Sequence, residues 1–332
     1  MIRFKLLAAC LALGAWAGAA APPASVIFDT DMGNDVDDAV ALAILHALQS
    51  RHEARILAVT ITKDNPEAAP FVDVVNTFYG RGEIPIGVVK NGKTKEPSRM
   101  LHAPLAARTA GGSPLYPRRI QRGAELPDAV LILRKTLAEA QDASVVIIQV
   151  GFSTNLARLL DSAADELSPL TGRELAARKV RLLSVMAGQF PAGKPEYNIR
   201  TDLPAAQKLF SEWPSPIVAS GFEVGESMKI PASCIERDMV AWTSHHPVAD
   251  AYRAYMKMPY DRPSWDPTAT LYAVRPDHGY FGLSAPGRIL VHEDGRTSFE
   301  PSAGGKHRHL TVSEAQKART LEAMIQLATQ PR

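Results

Sequence analysis

The stretch SVIFDTDMGNDVDDA, residues 25–39, runs three apolar residues into a crowd of acids. Asp29, Asp31, Asp35, Asp37 and Asp38 fall within ten positions. Val-Ile-Phe reads as a strand, Gly33-Asn34 as a turn, and DDAVALAILHALQS (37–50) as a helix whose first turn carries two acids. Strand, turn and helix in that order open an α/β unit, and in open α/β folds ligands bind beyond the carboxyl ends of strands.

One carboxylate at a helix N-terminus has a structural role, because unpaired N–H groups and the helix dipole favour it there. That role does not cover Asp29, Asp31 and Asp35 beside it. Carboxylates packed together either rise in pKa or draw in a cation. The donors nearby are all oxygens, with no His or Cys pair, which selects Ca²⁺ or Mg²⁺ over Zn²⁺. An EF-hand loop fails at its fifth and sixth positions, where Gly33 and Asn34 stand. VIFDTD also resembles the start of the haloacid dehalogenase phosphatases, but Gly33 replaces the Thr or Val of that pattern.

Working outward, short apolar runs recur at 55–61, 84–89, 144–150, 180–188 and 215–221. Nearly continuous apolar strands fit a parallel sheet covered on both faces. Helical patterns at 68–80, 127–140 and 203–213 alternate with them, and Asp202 before Leu-Pro reads as a cap. Residues 91–126, rich in Gly, Pro and Arg, read as a long excursion of the kind that covers a site. The tail, 311–330, carries T-x-x-E and S-x-x-Q capping patterns before a C-terminal helix.

The 332-residue chain is 46% hydrophobic and 22% charged with a net charge of +2, which gives no electrostatic footprint for nucleic acid. MIRFK followed by LLAACLALGAWAGAA reads as a signal peptide over 1–21, leaving a single domain over 22–332 that is exported and free of the membrane. Cys10 comes too early for a lipoprotein, and after cleavage Cys234 has no partner for a disulfide.

With its strand, DTDMGNDVDDAVALA (29–43) resembles the opening D-x-D-P-G-x-D-D-A motif of the inosine-uridine nucleoside hydrolase family, with two extra residues. VTITKDN (59–65), GFSTNLARLL (151–160), PEYNIRTDLPAAQKLF (195–210) and SWDPTATLYAV (264–274) resemble further family elements in the family's order. The resemblance implies an open, mostly parallel sheet flanked by helices, with a Rossmann-like core. It also implies Ca²⁺-dependent hydrolysis of a ribonucleoside to ribose and free base. Carried over by position, Asp31, Asp38, Asp266 and the Thr154 carbonyl would hold calcium, and Asp31 would be the general base. Asp37, Asn65, Glu196 and Asn198 would contact the substrate's ribose, while Asp29 and Asp35 would support the ligands from behind.

The departures define the open questions. Met32 replaces the motif's Pro, and Trp265 replaces the family's His near the leaving group. A proton donor must then come from His102 or from His245 and His246, or Trp265 instead stacks on the base. The alternatives are a calcium-dependent nucleoside- or ribose-binding protein without turnover and a DxD-type Mg²⁺-dependent phosphatase. Homo-oligomerisation and nucleoside salvage are expected by resemblance alone.

Overall fold

The computed structural model describes residues 22–332; the leader expected at 1–21, with Cys10, lies outside the described residues. Six strands form the parallel centre of one sheet. They are β1 (Ala24–Thr30), β2 (Ala54–Lys63), β3 (Ile86–Lys93), β4 (Val145–Gln149), β5 (Val180–Met186) and β6 (Ile217–Ser220). Their order is β3-β2-β1-β4-β5-β6, so the chain leaves β1 toward one edge and resumes at β4 on its other side. Each apolar run of the sequence falls on one of these strands, because both faces of the sheet are buried. Val26, Phe28, Val146 and Ile148 enter one core, while Ile27, Val145 and Ile147 enter the other.

The first core is closed by α1 (Asp37–Ser50), α2 (Ala68–Phe78) and α3 (Arg99–Ala106). The second is closed by α4 (Ala129–Glu139), α5 (Thr154–Asp161), α6 (Gly172–Lys179), the short α7 (Tyr197–Thr201) and α8 (Leu203–Glu212). Helix α1 is buried from Asp37 to Leu48, which its apolar residues on every side require.

Beyond β6 the chain returns to the first core through α9 (Phe222–Glu226), α10 (Pro247–Tyr255) and α11 (Trp265–Val274). Between them β7 (Lys229–Ile230) pairs antiparallel with β8 (Arg262–Pro263). Strands β9 (Gly282–Leu283), β10 (Gly287–Val291), β11 (Thr297–Pro301) and β12 (His307–Thr311) extend the sheet. Only β12 among them runs parallel, against β6. The sheet is therefore open and mostly parallel with helices on both faces.

The C-terminal helix α12 spans Glu314–Ala328, shorter than the 311–330 pattern. Ser313 and Gln316 form its capping box, whereas Thr311 ends β12. Asp202 stands at the cap position of α8, but its side chain does not cap. Its carboxylate accepts the Thr154 hydroxyl instead.

Candidate active site

The site lies where the strand order reverses, beyond the carboxyl ends of β1 and β4. A cavity of about 320 Å³ opens there, large enough for a small-molecule ligand. Asp31 follows β1, Val150 follows β4, Met186 ends β5 and Phe222 follows β6, so neighbouring strand ends supply the walls. Two glycines permit this. Gly33 adopts φ +109° with Leu101 packed against it, and a Cβ on Gly151 would lie 2.5 Å from the Asp31 backbone nitrogen.

Asp31, Asp37, Asp38 and Asp266 are all at least 96% buried and line the cavity. Oxygens of Asp37, Asp38 and Asp266 come within 4.8 Å of one another. The Asp266 backbone N–H donates to Asp37 Oδ2 at 3.0 Å, joining the start of α11 to the start of α1. Thr30 donates to Asp38 Oδ1, and the buried Asp38 Oδ2 has no hydrogen-bond partner among the described residues. Asn34 donates to Asp31 Oδ2 at 2.8 Å, and Lys63 donates to Asn34 Oδ1 at 2.7 Å. Burial, reinforced by mutual repulsion, pushes Asp37, Asp38 and Asp266 well above the usual carboxylate range. Burial likewise raises Asp31 to about 6. A ring of dehydrated oxygens with one unpartnered lone-pair site fits a hard divalent cation.

Opposite these acids, Glu196 caps α7, accepting backbone N–H groups of Asn198, Ile199 and Gly188. Burial raises it to about 7. The Asn198 amide donates to the carbonyls of Val150 and Met186, which turns its Oδ1 away from those bonds. The remaining wall is aromatic. Trp265 stacks on Phe222 with ring centroids 5.4 Å apart and donates to the Phe222 carbonyl. Tyr197, Tyr255 and Arg262 complete it.

Two expected residues, Asn65 and Thr154, stand outside the cavity lining, while Asp29 and Asp35 stand at or behind it. Asn65 does not line the cavity; its amide holds the Glu96 carbonyl and the Glu67 backbone N–H. Asp29 is fully buried behind the cavity, accepting from Thr60 and Asn155, with burial raising it to about 7. Asp35 lines the cavity but is paired bidentately with Arg262, so its charge is already met. Thr154 is buried at the start of α5, outside the cavity lining.

Neither expected proton donor reaches the cavity. His102 pairs with Glu67 on an exposed surface, and neither His245 nor His246 lines the site. His246 caps α10 within an aromatic cluster formed with Phe78, Tyr79 and Trp242. No residue of 91–126 lines the cavity either. That segment braces the acidic loop from behind, through Leu101 under Gly33 and the Thr94 hydroxyl on Asn34. Tyr255 and Arg262 escape sequence reasoning because nothing in the segment 255–262 carries a motif; the one available signal is that Asp35 needs a counter-charge.

A switch-point cavity walled by buried carboxylates on an open α/β sheet suits a small ligand and a cation; the family match assigns the reaction, hydrolysis of N-glycosyl bonds. The chain belongs to the inosine-uridine preferring nucleoside hydrolase family, whose description matches residues 26–328. The family depends on a metal, and Asp37, Asp38 and Asp266 are placed to bind one. Among solved structures, a plant nucleoside hydrolase, PpNRh1, is 22% identical with TM-score 0.64, covering 93% of this chain and 100% of its own. The inosine-uridine preferring nucleoside hydrolase of Bacillus anthracis is 17% identical with TM-score 0.67, covering 92% and 99%. The type III effector protein XopQ, complexed with adenosine diphosphate ribose, is 18% identical with TM-score 0.66, covering 93% and 95%. At these identities the likeness is one of fold. No curated protein sequence matches the chain.

Proposed function

We propose that this chain hydrolyses the N-glycosidic bond of ribonucleosides with the help of Ca²⁺. The observation that carries this reading is the buried oxygen ring of Asp31, Asp37, Asp38 and Asp266 facing Glu196 and Asn198 across one cavity. Asp38 and Asp266, common to the converging cluster and to the family pattern, would hold the ion; the resemblance adds Asp31 and the Thr154 carbonyl as ligands and sets Asp37 toward the ribose. When bound, the ion supplies a polarised water and an anchor for ribose hydroxyls.

The chain's own groups do the rest. Asp31 has one oxygen held by Asn34, which leaves the other to take a proton from the attacking water. Glu196 and Asn198 Oδ1 orient the ribose, converting binding into correct placement. The carboxylates favour the positive charge that grows on the sugar as the bond stretches. Trp265 and Phe222 offer flat apolar faces to a base.

A second reading, nucleoside binding without turnover, is favoured by one observation: among the described residues no histidine lines the cavity. Ribose release from nucleosides, measured with Ca²⁺ and with chelator beside Asp31→Ala, separates the two. Release that requires both calcium and Asp31 supports the hydrolase; calcium-dependent binding without product supports the binder. We infer export from the leader pattern alone, and fractionation of cells making the full chain tests it.

A further inference from the structure

Among the described residues Arg262 is the one cation that lines the cavity, and its guanidinium is unusually constrained. Nε donates to Asp35 Oδ1 at 2.9 Å, and Nη2 donates to the other Asp35 oxygen and to the Tyr255 hydroxyl. The guanidinium carbon lies 5.1 Å from the ring centroids of both Tyr255 and Trp265. Asp35 thus takes one edge of the planar fork and two rings take its faces. Nη1 makes no hydrogen bond to any described residue, and the side chain is 20% exposed.

The cavity has a chemical polarity. Carboxylates and Asn198 suit sugar hydroxyls, so the planar leaving group belongs at the aromatic end, where Arg262 lines the cavity with its Nη1 protons uncommitted among the described residues. That end holds no acid suited to protonating a departing base. Arg262 stays charged, Glu196 is engaged by backbone N–H groups, Tyr255 has its proton affinity raised by burial and by Asp35, and Tyr197 has its own raised by burial and by Asp31.

Resting on the hydrolase reading, we propose that Arg262, positioned by Asp35, receives the leaving base as an anion in place of a proton donor. The C1′–N bond breaks with its electron pair passing to the base, delocalised onto a carbonyl oxygen that accepts from Nη1. Water adds to C1′ through its oxygen and gives its proton to Asp31. The base anion takes a proton from solvent after it leaves, and Asp31 returns its own to solvent. The substrates are ribosides of carbonyl-bearing heterocycles that carry negative charge; a cationic pyridinium leaving group is disfavoured by the guanidinium.

The test uses the calcium-loaded chain with uridine, inosine, p-nitrophenyl riboside and nicotinamide riboside, measuring kcat and KM across pH. Arg262→Gln should lower kcat on uridine and inosine at least 100-fold, yet lower it less than tenfold on p-nitrophenyl riboside, whose anion needs little help. Retained nitrophenyl turnover also shows that the variant is folded. Asp35→Asn should follow the same ranking more weakly, and added guanidinium should restore part of the Arg262→Gln loss. Wild type should turn over nicotinamide riboside more slowly than uridine. Equal losses on all substrates would assign Arg262 a purely structural role and overturn the proposal. So would a fall of uridine kcat at high pH that Tyr255→Phe abolishes, because the tyrosine would then be an acid. Wild-type inactivity on every riboside, nitrophenyl included, would overturn the hydrolase reading itself and this proposal with it.

Discussion

At the scale of single residues, Asp38 shows the conflict built into the site. One oxygen accepts from Thr30, the other is buried without a hydrogen-bond partner among the described residues, and Asp31 and Asp37 both repel it. Such a group opposes folding until a cation arrives. Asp38→Asn keeps the shape and removes the charge, so without metal it should stabilise the fold by about 1–3 kcal/mol. The same variant should lose calcium binding and at least 1,000-fold in nucleoside turnover. Urea unfolding with chelator and calcium titration check the two halves. A metal-free variant less stable than wild type would mean that the carboxylate is satisfied in some other way. Asp31, Asp37, Asp38 and Asp266 were legible in the sequence because their spacing is local or sits in a family-like motif. The Asp35–Arg262 pair was not, since 227 positions separate its members and no motif marks the arginine. Asn65 shows the reverse: its motif is present, but in this structure it lies outside the cavity lining with its amide bonded to the chain beside it.

At the scale of elements, the packing of α1 against α2 rests on a buried neutral histidine. His46 Nε2 donates to Asn76 Oδ1 at 2.9 Å, Arg81 approaches Nδ1 at 3.2 Å, and the ring stacks on Tyr79. Burial, with the Arg81 charge beside it, lowers His46 from 6.5 to about 3. In the unfolded chain the same ring takes a proton below about pH 6.5. Stability from the neutral ring is therefore complete above that pH and is lost as pH falls toward 3. Between pH 7.5 and 5.0 His46 should remove about 2 kcal/mol, at about 1.4 kcal/mol per unit below 6.5. His46→Gln should lose stability at pH 7.5 and much less at pH 5.0. Urea unfolding at both values measures it, and a constant difference would show that the ring is not held neutral. Gly33 sets a second constraint between elements. At φ +109° over Leu101, Gly33→Ala strains the acidic loop and displaces α3, so calcium affinity should fall at least tenfold while far-UV dichroism stays unchanged. Unaltered affinity would show the loop to be more tolerant than its geometry implies. The strands and helices through β6 were readable because apolar runs of period-free β-branched residues alternate with helical patterns. After Gly221 the strands are short, and β11 and β12 each carry a single large apolar residue, Phe299 and Leu310, so their signal is weak.

At the scale of the whole molecule, the site joins distant parts of the chain. Asp37 and Asp38 open α1 beside the central strand, Asp266 opens α11, and one hydrogen bond from the Asp266 backbone N–H to the Asp37 carboxylate spans the 229 positions between them. The two-way winding of the sheet brings them together, since β1 stands at the centre and α11 packs back over the same face. An ion held there ties the opening unit to the late helices, so calcium should stabilise the whole fold and not the loop alone. At a hundred times its Kd, a ligand of the native state adds about 2.7 kcal/mol. For a chain of this length that is a rise in Tm on the order of 4 °C. Thermal unfolding of the chain from residue 22, titrated with Ca²⁺ after metal removal, should show one cooperative transition moving upward with concentration. Mg²⁺ should move it less, because it sheds water reluctantly and prefers stricter octahedral geometry. Asp266→Asn should remove most of the shift, as it takes the only carboxylate contributed to the cluster by the later half of the chain. A calcium shift that survives Asp266→Asn would place the ion on the opening loop alone. Two transitions, with only one moving, would mean that the ion does not bridge the chain.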